Sequence, residues 1–327
     1  MRNIIACIAL LLPILLACPN ARSNARADTL PATRAAQADA RHQGAPATGK
    51  RAPLEFAGAW GVQGSDPGQL ESPVGLATDR IGRVYIADRA TGFVQKFSAA
   101  GMPLLCFEHP SVHSSAAIAV DNGGAIYVAN PRAGEIQVFF PEGEPLRVLR
   151  VAPQRNFEGP FGFSVDAGGD IYVPDSAGGR IQVLNARGRL ERVWKAPPDV
   201  AGIGLHPAFA IAGPDGYIYA ADAVTGRIVK FTRDGAQVTE WQVPGGTAPL
   251  QSLAVSATDV FVLRGANPRM EVFTLDGKPE LADNLGGQLE AASPIPRSLG
   301  LAPSGELVVL DPAARRILQF RINFGSH

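Results

Sequence analysis

The stretch DSAGGRIQVLNARG, Asp175 to Gly188, is nearly repeated further along the chain as DAVTGRIVKFTRDG, Asp222 to Gly235. Both begin with Asp, place Arg five residues on, run through alternating apolar residues and end in Gly thirteen residues after the Asp. The anchor of each unit is the last residue of a short apolar run such as IYVPD. Anchors stand at Asp88, Asn130, Asp175, Asp222, Arg264 and Asp311, separated by 42, 45, 47, 42 and 47 residues. Thirteen residues after the first five anchors come Gly101, Gly143, Gly188, Gly235 and Gly277. An offset held five times identifies a repeat of six units.

Each unit contains four strand-like runs. In the third they are FGFSVD, DIYVPD, RIQVLN and LERVWK, separated by Gly, Asn and Asp at the breaks. Such runs form a four-stranded antiparallel meander, and a sheet of this size needs neighbours to cover both its faces. The spacing therefore predicts an all-β fold, a six-bladed β-propeller. The sixth unit ends at PAARRILQFRINFGSH, with a third strand but no room for a fourth. The missing strand is expected from LEFAGAWG, Leu54 to Gly61, so that the N-terminal strand closes the last blade. Trp60 would then play the part of Trp194 and Trp241, which stand six residues after their turn glycines.

The segments SPVGLATDRIGRVYIADRATGFVQKF, AAIAVDNGGAIYVANPRAGEIQVF and GPFGFSVDAGGDIYVPDSAGGRIQVL resemble NHL repeats. The resemblance spans Leu54 to His327, is clearest in units one to four, and also implies a six-bladed propeller.

The Asp and the Arg five residues later bracket a four-residue hairpin loop, where the side chains can meet and the carboxylate can accept loop N–H groups. Asp175–Arg180, Asp222–Arg227 and Asp311–Arg316 keep the pair; Asp88–Phe93, Asn130–Glu135 and Arg264–Arg269 do not. So casual an exchange marks a structural pair, worth ~0–1 kcal/mol where partly exposed. The repeat builds a scaffold, and function is expected where the blades differ.

The N-terminus has a separate role. Residues 1–17 read as a signal peptide: Arg2 precedes an apolar run from Ile4 to Ala17 that is short for a membrane span. The run ends in LLAC, which resembles a bacterial lipobox and implies acylation of Cys18. The alternative is secretory cleavage after ARA, Ala25 to Ala27. Residues 18–52 lack apolar periodicity and read as a disordered tether leading to the propeller at 53–327. From residue 19 to 52, six basic residues stand against two acidic ones. The whole chain has a formal charge of zero, so a basic stalk carries a mildly acidic domain, and nucleic acid is not an expected partner. With Cys7 in the signal and Cys18 acylated, only Cys106 remains, read as a buried small hydrophobe.

The segments entering each innermost strand should reach the channel rim. Aligned on Leu76, Ile118, Phe163, Ile211, Leu253 and Leu299, the position five residues earlier holds Glu71, His113, Glu158, His206, Ala248 and Pro294. Two His and two Glu form a candidate site for Zn or Ca. The family resemblance includes a peptide-amidating lyase with a histidine-bound zinc, to which only His113 and His206 could correspond. Two residues before the alignment point, Phe161 and Phe209 with Gln251 and Arg297 form an aromatic and polar mixture suited to recognition. The leading expectation is a lipid-anchored module of the bacterial cell envelope that binds a protein, peptide or glycan. The alternative is a metal-dependent lyase or hydrolase at the channel mouth. No cofactor is required by the first.

Overall fold

In the computed structural model, the described residues are 54–115, 117–151, 162–198, 202–222, 225–244, 249–264, 269–285 and 298–322. They form six four-stranded antiparallel sheets. Blade one contains β2 (Pro73–Thr78), β3 (Val84–Asp88), β4 (Phe93–Phe97) and β5 (Pro103–Glu108). Blade two contains β6 (Ala117–Val120), β7 (Ile126–Asn130), β8 (Glu135–Phe139) and β9 (Pro145–Arg150). Blade three contains β10 (Ser164–Val165), β11 (Ile171–Asp175), β12 (Arg180–Leu184) and β13 (Leu190–Trp194). Blade four contains β14 (Pro207–Ala212), β15 (Ile218–Asp222), β16 (Arg227–Phe231) and β17 (Gln237–Gln242). Blade five contains β18 (Leu250–Val255), β19 (Asp259–Arg264), β20 (Arg269–Thr274) and β21 (Pro279–Asn284). Blade six contains β22 (Ser298–Leu301), β23 (Glu306–Asp311) and β24 (Arg316–Arg321), and its fourth strand is β1 (Glu55–Trp60). β1 runs antiparallel to β24, with Glu55 opposite Arg321 and Trp60 opposite Ile317.

The apolar core lies between blades. One cluster joins Leu76, Ile86 and Phe97 of blade one to Val308, Leu310 and Ile317 of blade six. Another joins Tyr172, Val183 and Trp194 of blade three to Ala210, Val229 and Phe231 of blade four. Alternating side chains supply both faces of each sheet, so a blade is buried only when both neighbours are present.

The turn glycines explain how neighbours dock. Gly101, Gly143, Gly188, Gly235 and Gly277 all have positive φ, and each also lies under a side chain from the preceding blade. A Cβ on Gly101 would come within 2.5 Å of Trp60, on Gly143 within 2.5 Å of Phe107, and on Gly277 within 2.5 Å of Trp241. Leu149 on Gly188 and Trp194 on Gly235 are closer still. Glycine is required twice at each turn, by conformation and by contact. The same turns receive a polar side chain. Lys96 Nζ donates to the Pro141 carbonyl at 2.6 Å, Arg147 to Ala186 at 2.6 Å, Lys230 to Leu275 at 3.2 Å and Gln319 to Ala99 at 2.7 Å. The last of these, with Trp60, joins blade six to blade one and closes the ring.

The upper face carries the connections between blades and the hairpins from second to third strands; the other hairpins lie on the lower face. Upper hairpins use a left-handed residue at Gly92, Gly134, Gly179, Gly226 and, in blade six, Arg315 at φ 51°. Arg315 is the one non-glycine residue with positive φ among those described, and such a conformation costs about 1–2 kcal/mol. Its Nε donates to the Glu71 carbonyl at 2.8 Å, so the strained residue latches blade six onto blade one.

On the lower face an Asp holds the turn in four blades and accepts a hydrogen bond from a tyrosine: Tyr85 to Asp79 at 3.0 Å, Tyr127 to Asp121 at 3.0 Å, Tyr172 to Asp166 at 2.9 Å and Tyr219 to Asp215 at 2.7 Å. Burial, and then the charge and hydrogen bond of Asp121, push the Tyr127 phenol from 10.0 up to about 12. Burial works to raise the Asp79 carboxyl, but bonds from Arg83, the backbone of Arg83 and Ile81, and Tyr85 outweigh it and hold it below its usual value.

Four outcomes are expected. Gly235→Ala should lower unfolding free energy by roughly 3 kcal/mol, and Trp60→Ala by about 2 kcal/mol, in denaturant titrations. Arg315→Ala, which keeps the strain and loses the latch, should be about 1 kcal/mol less stable than Arg315→Gly, which relieves it. Tyr127 has a folded pKa above its unfolded 10.0, so its contribution is complete below pH 10.0 and is lost as pH rises through about 12. Phenolate absorbance followed against pH, with Tyr127→Phe as reference, measures this.

Candidate functional site

The hairpin anchors position the upper rim. Asp88 accepts N–H bonds from Glu71 at 2.7 Å and Ser72 at 3.0 Å, and further bonds from Ala90 and Thr91 within its own hairpin. Asp222 does the same for His206 at 3.2 Å and Thr225 at 3.0 Å. One carboxylate thus ties the loop of a blade to the segment entering its innermost strand. Asp175 also pairs with Arg180 at 2.6 Å, and Asp311 with Arg316 at 3.5 Å. Arg227 departs from the expected pairing and binds Glu240 at 2.5 Å and the Pro197 carbonyl instead.

Glu71 and His113 flank the blade-one hairpin. The Glu71 carboxylate lies 3.8 Å from Arg315 Nη2. His113 lies in the last turn of a short 3-10 helix, Pro110–Ser114, started by His109, whose ring caps the Ser111 N–H. His113 Nδ1 stands 2.9 Å from the Arg89 carbonyl, which can only accept, so Nδ1 carries the proton. In the neutral ring Nε2 therefore keeps its lone pair. The ring rests on Gly92, where a Cβ would meet Nε2 at 2.6 Å. Arg89 in turn donates to the Ser115 carbonyl at 2.7 Å, holding the whole turn.

The expected rim positions need correction in blade four. Pro207 pairs with Asp222 as Pro73 pairs with Asp88, and Phe209 pairs with Ala221 as Gly75 pairs with Ala87. Ala210, not Ile211, is therefore the counterpart of Leu76, and His206 the counterpart of Ser72 rather than Glu71. A one-residue shift turns every side chain to the opposite face. Phe209 accordingly lies in the core at 2% exposure, packed on Gly162 of blade three. It is the one large side chain in a ring otherwise made of Gly75, Ala117, Gly162, Ser252 and Ser298, and it narrows a channel cavity of about 220 Å³. Its ring is thus buried at the channel wall rather than exposed on the rim.

Gln251 is half-buried in β18, while His113 and His206 are exposed. Phe161, Glu158, Arg297 and Cys18 lie outside the described residues. Among the described residues no three His, Cys, Asp or Glu side chains gather closely enough to hold a metal ion. Glu71 and His113 flank one hairpin, that of blade one, but His206 belongs to the connection between blades three and four. The channel hydroxyls are also engaged. Ser298 Oγ bridges the N–H and carbonyl of Leu76, Ser164 bridges Ala210 and Ala212, and Ser252 accepts from Leu299.

Blade five replaces its anchor carboxylate by Arg264. Glu271 stands where Gln95, Gln137 and Gln182 stand in blades one to three, 3.5 Å from Arg269. The Glu271 carboxylate thus places one negative charge beside the two arginines, Arg264 and Arg269, of this blade. Burial raises the Glu271 carboxyl, opposed by Arg264 and Arg269.

No family model matches the chain, and no curated protein matches it in sequence. Solved structures do resemble it. A streptogramin B lyase superimposes with a TM-score of 0.59 at 17% identity, covering 83% of this chain and 98% of that one. Virginiamycin B lyase from Staphylococcus aureus gives 0.60 at 13% identity, covering 81% and 99%. A catalytically inactive histidine-to-alanine form of the latter enzyme with quinupristin gives 0.59 at 16%, covering 82% and 90%. At these identities the likeness establishes the six-bladed propeller fold that the protein shares with them.

Proposed function

We propose that this protein is an extracytoplasmic binding module of NHL type, lipid-anchored through Cys18, whose upper propeller face engages a protein, peptide or glycan of the cell envelope. One observation carries the reading. At the entry to the innermost strands the main chain is fixed by anchor carboxylates, as at Glu71 and His206, while the side chains there differ from blade to blade. A rigid backbone presenting varied side chains is the arrangement a recognition surface needs. The direction of β1 adds support. Glu55, opposite Arg321, lies at the lower end, so the chain enters the propeller on the face opposite this rim.

Combined Glu71→Ala, His113→Ala and His206→Ala should abolish capture of envelope partners by the tagged full chain, with melting unchanged; retention of every partner refutes the choice of face. Cys18→Ser should move the protein from the membrane to the soluble fraction.

A second reading, a lyase or hydrolase, is favoured by the lone pair left on Nε2 of the exposed His113 and by the likeness to lyases, one of which is inactive as a histidine variant. Turnover of quinupristin by the purified chain, lost in His113→Ala, would establish it. Absence of turnover, together with no zinc or calcium in the purified protein, would remove it.

A further inference from the structure

At the lower end of the channel the wall opens into a second cavity of about 610 Å³, which shares Thr78 and Leu301 with the channel. It is built from the turns that follow the innermost strands of blades one, five and six, with Asn122 of blade two. One part of its wall is apolar: Leu301 and Ile322, half-buried against the core between blades five and six, with Pro303 and Ala257. Most polar groups nearby are already used. Asp79 binds Arg83 and Tyr85, and Thr258 Oγ1 donates to Asp259 at 2.6 Å.

Arg80 is different. It lines this cavity and the adjoining recess of about 90 Å³, is exposed, and makes no ion pair among the described residues. The same turn position holds Asn122, Ala167, Pro214, Ala257 and Pro303 in the other blades, so blade one alone places a cation at this mouth. Asn122 and Ser304 flank it as exposed neutral donors.

We propose that the lower mouth binds a small amphiphile, an apolar body carrying one anionic group. The body lies against Leu301, Pro303 and Ile322, and the anion meets the Arg80 guanidinium. The cavity is of the size that encloses such molecules, and a guanidinium beside apolar walls is the donor suited to a carboxylate or sulfonate. This site is on the face opposite the rim considered above and does not depend on that reading.

Anilinonaphthalene sulfonate, an apolar anion whose fluorescence rises on leaving water, is the probe. Titrated into the full chain, it should saturate a single site. Arg80→Ala should weaken binding about tenfold, as expected for one charge-assisted contact, with Arg80→Lys retaining part of it. Ala257→Trp, at an exposed turn, should fill the mouth and abolish binding without changing the melting temperature. Ser304→Trp serves the same purpose should that variant fail to fold, and His113→Ala should leave binding unchanged. Three results overturn the proposal: no saturable binding; equal binding in a folded Ala257→Trp or Ser304→Trp protein; or binding that appears only when the chain is cut after Ile322, which would assign the mouth to the chain's own tail.

Discussion

The ring depends on one recurring contact, the seating of an outer-strand side chain from one blade on the turn glycine of the next. Four short strands expose two apolar faces, and neither is covered within the blade. Trp194 on Gly235 and Trp241 on Gly277 show the full form of the contact, and Phe107 and Leu149 meet the same need with smaller groups. Because the ring must close, the first interface needs the same contact from a distant part of the chain. Trp60 supplies it, which is why the N-terminal strand belongs to the last blade.

This construction uses most of the reactive groups that the repeat contains. The upper carboxylates are occupied by backbone N–H groups, the lower ones by turns and tyrosines, and the channel hydroxyls join neighbouring inner strands. A regularly spaced acid in this chain is therefore a structural tie. What remains for recognition or chemistry lies at positions where a blade departs from its neighbours: His113 above, Arg80 below.

Departures inside the framework are compensated locally. Arg264 in place of an anchor Asp is matched by Glu271 in place of Gln on the adjacent strand. Arg315, in place of a left-handed glycine, returns its strain as a bond to blade one. Blade five consequently keeps its four-stranded geometry although its motif is the weakest.

The sequence by itself determined the number of blades, their four-strand form and the N-terminal closure, because those follow from spacing, and spacing along a strand is fixed by backbone geometry. Leu76, Ile118, Phe163 and Leu299 all stand twelve residues before their anchors, whereas Ile211 stands eleven before Asp222. Leu253 also stands eleven residues before Arg264 and yet pairs in the register of Leu76, so spacing alone did not separate Ile211 from Ala210, and the strand pairing decided between them. Tertiary structure decided the rest. Only strand pairing turned Phe209 into the core, only the approach of blade two brought His113 to the Arg89 carbonyl, and only ring closure set Arg315 beside Glu71. Those facts depend on contacts between residues far apart in the chain, and a period read along one strand carries no record of what lies across the gap to the next.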